Sequence, residues 1–414
     1  VSYHRVVVTG VGVVSPIGIG KNSFWSALVS GKSGIGKITT FDPYQFDTQI
    51  AGEVKDYDPK DTIPAKESKR MEKFCQFAVT AAMEAFRDSG IDMAKEDPYD
   101  VGVLIGSGIG SLGIVEQTHM QYLEKGPDKF TPFLIPMLII NMAAGWTSIL
   151  LGLKGPNLAV VTACATGTHA IGEAYRMVQH GQAKAMIAGG AESCLTPLGI
   201  GGFCALRAMS KRNDDPQTAS RPFDKERDGF VMGEGAGIVM IEELEHAKAR
   251  GAKIYGEIVG YALNGDAFHM TAPHPEGEGA ARCMAGALKE SKLRAEDITY
   301  INAHGTSTEL NDKIETLAIK RAFGEHAKKL QISSTKSMTG HTLGAAGGIE
   351  FVACALSLET QTLHPTINLH NPDPECDLDY IPNVARKTPV KACLSNSLGF
   401  GGHNTSIIIN KFNG

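Results

Sequence analysis

The chain of 414 residues carries 40 basic and 45 acidic side chains, a net charge of −5 with histidine neutral, and is 43% hydrophobic and 21% charged. That is the balance of a soluble globular protein long enough for two or three ordinary domains or one large duplicated one, and no general affinity for nucleic acid is expected of it. Eight cysteines are scattered without CxxC or Cys/His zinc spacing, so a reducing compartment is indicated rather than a disulfide framework or a metal site.

Arg5-Val6-Val7-Val8-Thr9 already has the look of a strand, so no signal peptide is expected. The location expected is cytoplasmic, or an organelle stroma or matrix if a targeting segment has been removed. The strand runs into Gly10-Val11-Gly12 and Ser15-Pro16. It lacks the third glycine and the acidic residue of a dinucleotide fingerprint, so nucleotide binding is not expected. Residues Lys66 to Ser89 read as one helix, with Met71, Phe74, Cys75, Ala78, Ala82 and Ala85 on one face and Lys66, Lys69, Arg70 and Lys73 at its start. Val101–Gly106 is a buried strand followed by the loop Ser107-Gly108-Ile109-Gly110-Ser111. The most apolar region, Phe133 to Leu151, is interrupted by Pro136, Asn141, Gly145 and Ser148. It reads as buried interface or pocket lining rather than as a membrane span.

The most informative stretch follows. The β-formers Leu158 to Val161 lead into Thr162-Ala163-Cys164-Ala165-Thr166-Gly167-Thr168, after which Ala170, Ile171, Ala174, Met177 and Val178 keep a helical period. A strand, a tight turn and a helix put Cys164 in the first helical turn. Unpaired N–H groups and the helix dipole there favour a thiolate, and small neighbours leave room for a substrate. Cys75, Cys194, Cys204, Cys283, Cys354, Cys376 and Cys393 read as small core or surface residues.

Further strands are expected at Ala185–Gly190 and, after the polar loop from Ser220 to Gly229 and the glycines Gly233, Gly235 and Gly237, at Ile238–Ile241. The same order of elements then recurs, with strands at Ile254–Val259, Ile298–Asn302, Gln331–Ser334 and Ser406–Ile409. The turn Gly399–Gly402 echoes Gly233–Gly237, and Gly340–Glu350 echoes the helix after Cys164. Two βα-rich halves, 1–256 and 257–414, suggest an internal duplication, and non-alternating apolar strands point to an α/β fold with largely parallel sheets covered on both faces. Polar groups among small residues stand at three strand ends of the second half: His304 in Ala303-His304-Gly305, Lys336 and His341 in Thr335-Lys336 and Gly340-His341, and the turn after Asn396-Ser397-Leu398 that carries Phe400. The remaining histidines, such as His4, His119, His180, His246, His326, His364 and His370, read as surface or structural.

In combination these motifs resemble the elongating β-ketoacyl-[acyl carrier protein] synthases of the thiolase-fold superfamily. The matching segments are TACATG around Cys164, NAHGTST around His304, SSTKSMTGH with Lys336 and His341, GFGGHN with Phe400, and RPFDKERDGFVMGEGAG from Arg221 to Gly237. The resemblance runs from Val6 to about Ile409. It implies a duplicated, thiolase-like α/β fold, layered αβαβα with two mixed, mostly parallel sheets. It also implies the condensing reaction of type II fatty acid synthesis. In that reaction Cys164 takes an acyl group from acyl carrier protein, and the backbone N–H groups of Cys164 and Phe400 form the oxyanion hole. His304 and His341, as neutral imidazoles, donate from Nε2 to the malonyl thioester oxygen while carbon dioxide leaves. Lys336 orders the histidines, and Glu350 either pairs with it, joins a buried polar or cation site, or is a plain helix carboxylate.

No cofactor or metal is implied, because the phosphopantetheine arrives on the carrier protein; Thr271, Thr306 and Thr308 resemble its contacts, although turn-capping threonines are an equal reading. By the same resemblance Ile109 and Phe400 form a movable gate to an acyl pocket walled by Phe203 and, from a partner subunit, by Phe133. Trp146 departs from the family pattern, where a smaller polar residue is usual. The implied partners are the acyl and malonyl forms of the acidic carrier protein, with Lys66, Lys69, Arg70, Lys129 and Arg207 as dock candidates, and a second copy in a homodimer; neither nucleic acid nor membrane is expected. Three alternatives stay open: a thiolase, which wants a second reactive cysteine in the last glycine turn; a non-catalytic, chain-length-setting subunit of a polyketide synthase, which loses the nucleophile; and a cysteine hydrolase, which leaves His341 and Lys336 unexplained.

Overall fold

In a computed structural model that describes residues 3–414, the long apolar strands join one sheet. In chain order they are β1 (Val6–Ser15), β2 (Gly18–Ile19), β3 (Val101–Gly106), β4 (Asn157–Leu158), β5 (Ala185–Glu192), β6 (Gly235–Glu243), β7 (Gly256–Gly265), β8 (Tyr300–Asn302), β9 (Gln331–Ser333), β10 (Ala392–Gly399) and β11 (His403–Asn410). Their spatial order is β9-β8-β10-β11-β7-β1-β6-β5-β3-β4, with β2 paired to β1. Outward from the centre, β1-β6-β5-β3-β4 on one side and β7-β11-β10-β8-β9 on the other follow one plan, two antiparallel pairings and then two parallel ones.

The expectation of two separate, mostly parallel sheets is corrected on both counts. Val6, Val7 and Val8 pair with Ile258, Glu257 and Gly256 and join the halves into one eleven-stranded sheet. Antiparallel pairing runs through its centre. Strands β10 and β11 are linked only by Phe400-Gly401-Gly402, with the glycines at φ 87° and 74°. So short a link returns the chain antiparallel, whereas the outer parallel pairs have helical crossovers between them.

Helices α1 (Lys73–Ser89), α2 (Thr166–Gln179), α3 (Glu278–Ser291), α4 (Glu309–Phe323) and α5 (Ala346–Thr360) complete the layers. Alternate residues of each strand face opposite ways. In β5, Met186 and Ala188 pack with Ile171 and Ala174 of α2 and Ile349 and Val352 of α5, while Ala185 and Ile187 pack with Phe74 and Ala78 of α1. In β11, Ile407 and Ile409 join the α2–α5 layer and Ile408 packs with Met284 of α3 and Ile319 of α4. Helices therefore cover both faces, in the order α–β–α–β–α, and this is why the strands read as apolar runs. The apolar segment Leu343–Thr360 is 89% buried, as a middle layer requires.

Two local expectations are also corrected. The helix foreseen over Lys66–Ser89 is a short turn, Ala65–Ser68, followed by α1. The Gln76 side chain donates to the carbonyls of Ser68 (2.9 Å) and Met71 (3.1 Å), so the break is satisfied without a continuous ladder. The strand foreseen before Cys164 is limited to Asn157–Leu158.

Close approach at the centre depends on Gly237 of β6, where an added Cβ would lie 2.1 Å from the backbone nitrogen of Ile349 in α5. Gly237→Ala is expected to lower the unfolding free energy in urea by about 3 kcal/mol. Gly202→Ala, with nothing within 4 Å of the new methyl, is the control and is expected to unfold at the wild-type midpoint.

Candidate active site

Cys164 occupies a 3₁₀ turn, Ala163–Ala165, that runs straight into α2. The turn is held in an uncommon shape: Ala163 has φ 50°, which a residue with a Cβ adopts only when its surroundings over-determine it. Here the Thr162 N–H donates to Thr166 Oγ1 (2.8 Å), the Thr162 hydroxyl lies 2.7 Å from His169 Nδ1, and the Ala165 N–H donates to the Thr162 carbonyl (3.1 Å). The second half repeats the device ahead of α5, in the turn Leu343–Ala345 with Leu343 at φ 49°, and Gly344 stands where the first half has Cys164.

His304 follows β8, and its loop is fixed by Glu315 of α4, which accepts the N–H groups of His304 and Gly305, each at 2.8 Å. His341 follows β9 and is bound by backbone bridges to the other half, from its own N–H to the Val231 carbonyl (2.7 Å) and from the Gly233 N–H to its carbonyl (2.9 Å). The two imidazoles meet edge to face with centroids 5.4 Å apart, and Phe230 stacks edge-on to His341 at the same distance.

The Lys336 ammonium lies behind them. It donates to the His304 carbonyl (2.7 Å), to His304 Nδ1 (3.3 Å) and to Glu350. His341 Nδ1 accepts the Leu343 N–H at 3.3 Å. With each Nδ1 an acceptor, both rings carry their proton on Nε2. Burial and then the Lys336 charge hold both histidines well below the usual imidazole range, His341 adding to the effect on His304. They are neutral donors.

Cys164, His304, His341, Phe203, Thr271, Thr306, Thr308 and Phe400 line one cavity of about 390 Å³, with Arg207 among its walls. Lys336 stands behind His304 rather than in the lining. Ile109 and Phe133 are not part of this cavity; Phe133 lies under the Arg70 guanidinium, 4.8 Å from ring centroid to charge. Trp146 packs at the edge of the α1 layer with its Nε1 unpartnered. Among the described residues no group of three or more His, Cys, Asp or Glu is arranged to hold a metal ion, and all eight cysteines are free.

The thiolate expected at Cys164 is corrected. Burial pushes the thiol up to about 12, against the Lys336 charge and the backbone N–H groups of Phe400 and Cys164, which act the other way. Water is kept out by residues distant in sequence: Cys164 is 7% exposed and packs in one cluster with Cys194, Ile200, Phe230 and Leu343. Sequence reasoning missed Phe230, although it lies in the quoted Arg221–Gly237 motif. It also missed Glu315, for which a carboxylate on an ordinary helical face gave no signal.

Duplicated halves that meet over a buried cysteine are the mark of the thiolase-like condensing enzymes, and fold and site put this chain in that class. A β-ketoacyl synthase N-terminal domain profile matches residues 3–247 and the corresponding C-terminal domain profile residues 255–370. The chain is 55% identical over 408 residues to a 3-oxoacyl-[acyl-carrier-protein] synthase 2 of Synechocystis, covering 99% of this chain and 98% of the relative. It is 53% identical to the protein of that name from Coxiella burnetii, covering 99% of each. A ketosynthase solved in complex with its type II polyketide synthase acyl-carrier protein superposes with a TM-score of 0.93 at 39% identity, covering 99% of this chain and 100% of that one. The chain belongs to the β-ketoacyl synthase family.

Two outcomes test the site's electrostatics. Thiolate content below a pKa of about 12 rises tenfold per pH unit, so alkylation of Cys164 by iodoacetamide is expected to climb from pH 6 to 9 without levelling. A plateau near pH 7 would mean that the helix end outweighs burial. Lys336→Met strands the Glu350 carboxylate in the core and is expected to cost about 3–5 kcal/mol in urea unfolding, most of it regained in Lys336→Met/Glu350→Gln.

Proposed function

We propose that this chain is the elongating condensing enzyme of type II fatty acid synthesis, an acyltransferase that joins an acyl group to malonyl-[acyl carrier protein] and releases 3-oxoacyl-[acyl carrier protein] and carbon dioxide. The observation that carries the reading is the shared cavity, where one thiol from the first half faces two neutral imidazoles from the second.

Catalysis begins when the Cys164 sulfur attacks the acyl thioester. Its proton ends on the departing pantetheine thiol, and the N–H groups of Cys164 and Phe400 hold the developing oxyanion. Both N–H groups already act on the sulfur of the free protein, which supports that assignment. Malonyl thioester then enters with its thioester oxygen against Nε2–H of His304 and His341. The carbon–carbon bond to the carboxylate breaks, carbon dioxide leaves, and the enolate carbon attacks the Cys164 thioester, returning the sulfur as thiolate. Neutral imidazoles suit this step, since they donate without adding a charge that would stabilise the ground-state carboxylate equally. Lys336 orients His304 and takes no covalent part. Thr271, Thr306 and Thr308 bind the pantetheine arm, a role supported by their place in the cavity wall.

Ile109 gates an acyl pocket completed by Phe203 and by Phe133 of a partner subunit. The homodimer this needs is supported by the apolar side chains left in the open at Phe133, Ile135, Ile139 and Ile149. The acidic carrier protein docks beside the cavity on Arg207, with Lys66, Lys69, Arg70 and Lys129 as the further basic residues. Residues 1–256 and 257–414 are the two functional halves, one bringing the nucleophile and the other the histidines and lysine. Eight free cysteines favour a cytoplasmic location. The thiolase alternative is disfavoured by Phe400-Gly401-Gly402-His403, which has no second cysteine, and the inert-subunit alternative by Cys164 itself.

Cys164→Ser is expected to reduce acyl transfer by at least about 10³-fold while leaving the fold intact, and His304→Ala and His341→Ala to reduce malonyl decarboxylation by about 10²–10⁴-fold with acylation of Cys164 largely kept. Mass spectrometry of acyl-enzyme and carbon dioxide release read the two steps apart. Undiminished acyl-enzyme in Cys164→Ser overturns the assignment.

A further inference from the structure

Glu192 ends strand β5 with no exposed surface, and every hydrogen-bond partner of its carboxylate is a neutral donor. Its Oε1 accepts the Ser107 hydroxyl (2.6 Å), the N–H groups of Gly110 (3.1 Å) and Ile109 (3.3 Å), and the Cys194 thiol (3.5 Å). Its Oε2 accepts the N–H groups of Gly108 (2.8 Å) and Gly344 (3.1 Å). Four of these donors belong to the loop 107–110 that carries Ile109. Gly344 belongs to the turn that follows His341, in the other half of the molecule. A Cβ on Gly108 would lie 2.8 Å from Oε2, and one on Gly344 would lie 2.3 Å from the Gly108 nitrogen and 2.8 Å from Oε2. Beyond the carboxylate, the Ser107 hydroxyl accepts the Gly110 N–H (3.1 Å) and the Cys194 thiol lies 3.8 Å from the Gly110 carbonyl oxygen, while the Ile109 side chain is 37% exposed.

We propose that Glu192 is the latch of the acyl-pocket gate, a positioning residue that holds the Ile109 loop shut and so sets how readily a long acyl chain is accepted. The inference rests on the gate role given to Ile109 above. The loop 107–110 cannot swing away from the cysteine without withdrawing up to four donors from a buried carboxylate. Hydrogen bonds to a charged acceptor are worth more than those between neutral groups, and a buried acceptor left short of donors is costly. A short acyl chain fits in front of the closed loop and does not meet that cost, whereas a long chain must displace the loop and supply the cost from its own apolar burial. Because Gly108 and Gly344 share Oε2, the latch also ties the gate to the turn behind His341. Displacement of the loop by a bound chain is thereby registered on the side where malonyl thioester reacts.

The test uses Glu192→Gln in the full-length enzyme. The amide keeps the volume of the side chain and turns one acceptor into a donor that faces N–H groups. The reading is the ratio of kcat/KM for tetradecanoyl over hexanoyl carrier protein, measured in the Ile109 and Ile109→Gly backgrounds. Expected is a rise of about tenfold in the first background, none in the second where the gate is already open, and faster amide exchange at Gly108–Gly110. Should Glu192→Gln fail to fold, Ser107→Ala removes the shortest donor and is expected to move the ratio the same way by a smaller factor. If Ile109→Gly raises the ratio while neither variant does, the latch is overturned and the gate stands. An equal rise in both backgrounds overturns the latch as well, because Glu192 would then act on the pocket without Ile109. If Ile109→Gly leaves the ratio unchanged, the gate itself is wrong and the latch falls with it.

Discussion

The approach of α2 to α5 is the constraint on which the site depends. An added Cβ on Gly167 of α2 would lie 2.6 Å from the nitrogen of Gly348 in α5, and one on Gly348 would lie 2.2 Å from the carbonyl oxygen of Gly237. Backbone meets backbone there with no side chain between. That contact brings the two strained turns, at Ala163 and Leu343, into one middle layer facing each other. The turn of the first half presents a thiol, and the loops around the turn of the second present two imidazoles. A spacing set by backbone is also stiff, which suits a reaction that needs three groups placed about one small reacting centre.

Electrostatics inside this frame follow from the exclusion of water. A single ammonium, Lys336, is sealed in with Glu350, and its field acts outward on the histidines and on Cys164. It makes protonated imidazole unfavourable and thiolate less unfavourable. Two further carboxylates repeat one job on the two sides of the duplication: Glu192 gathers the N–H groups of the loop after β3, and Glu315 those of the loop after β8. Burial pushes Glu315 up to about 7, with the His304 and Gly305 donors opposing it. Rigid loops at strand ends, held by buried acceptors, are how the fold makes irregular backbone precise enough to carry chemistry.

Much of this was legible in the sequence for a physical reason. Cys164, His304 and His341 follow apolar runs of the sequence among residues too small to pack, and such positions are poor candidates for core. The duplication was legible because strand order and glycine punctuation repeat. Properties that depend on partners remote in sequence were not legible. The direction of the Cys164 shift is decided by burial among residues such as Phe230 and Leu343, which close over the sulfur from other parts of the chain. Whether the halves form one sheet or two turns on three residue pairs at Val6–Val8. The break ahead of α1 is made by one glutamine side chain. Glu192 left no trace, because all but two of its donors are backbone N–H groups, which every residue but proline carries.

The claim at the centre is that one sulfur and two imidazoles serve a single substrate-sized space. The most direct measurement is a crystal structure of the Cys164 acyl-enzyme with a malonyl-pantetheine analogue that cannot lose its carboxylate. The account predicts the analogue's thioester oxygen within hydrogen-bond reach, about 2.6–3.2 Å, of Nε2 on both His304 and His341, with its methylene carbon facing the acyl carbonyl on Cys164. A thioester oxygen bound away from both imidazoles, with the acyl group still on Cys164, would contradict it.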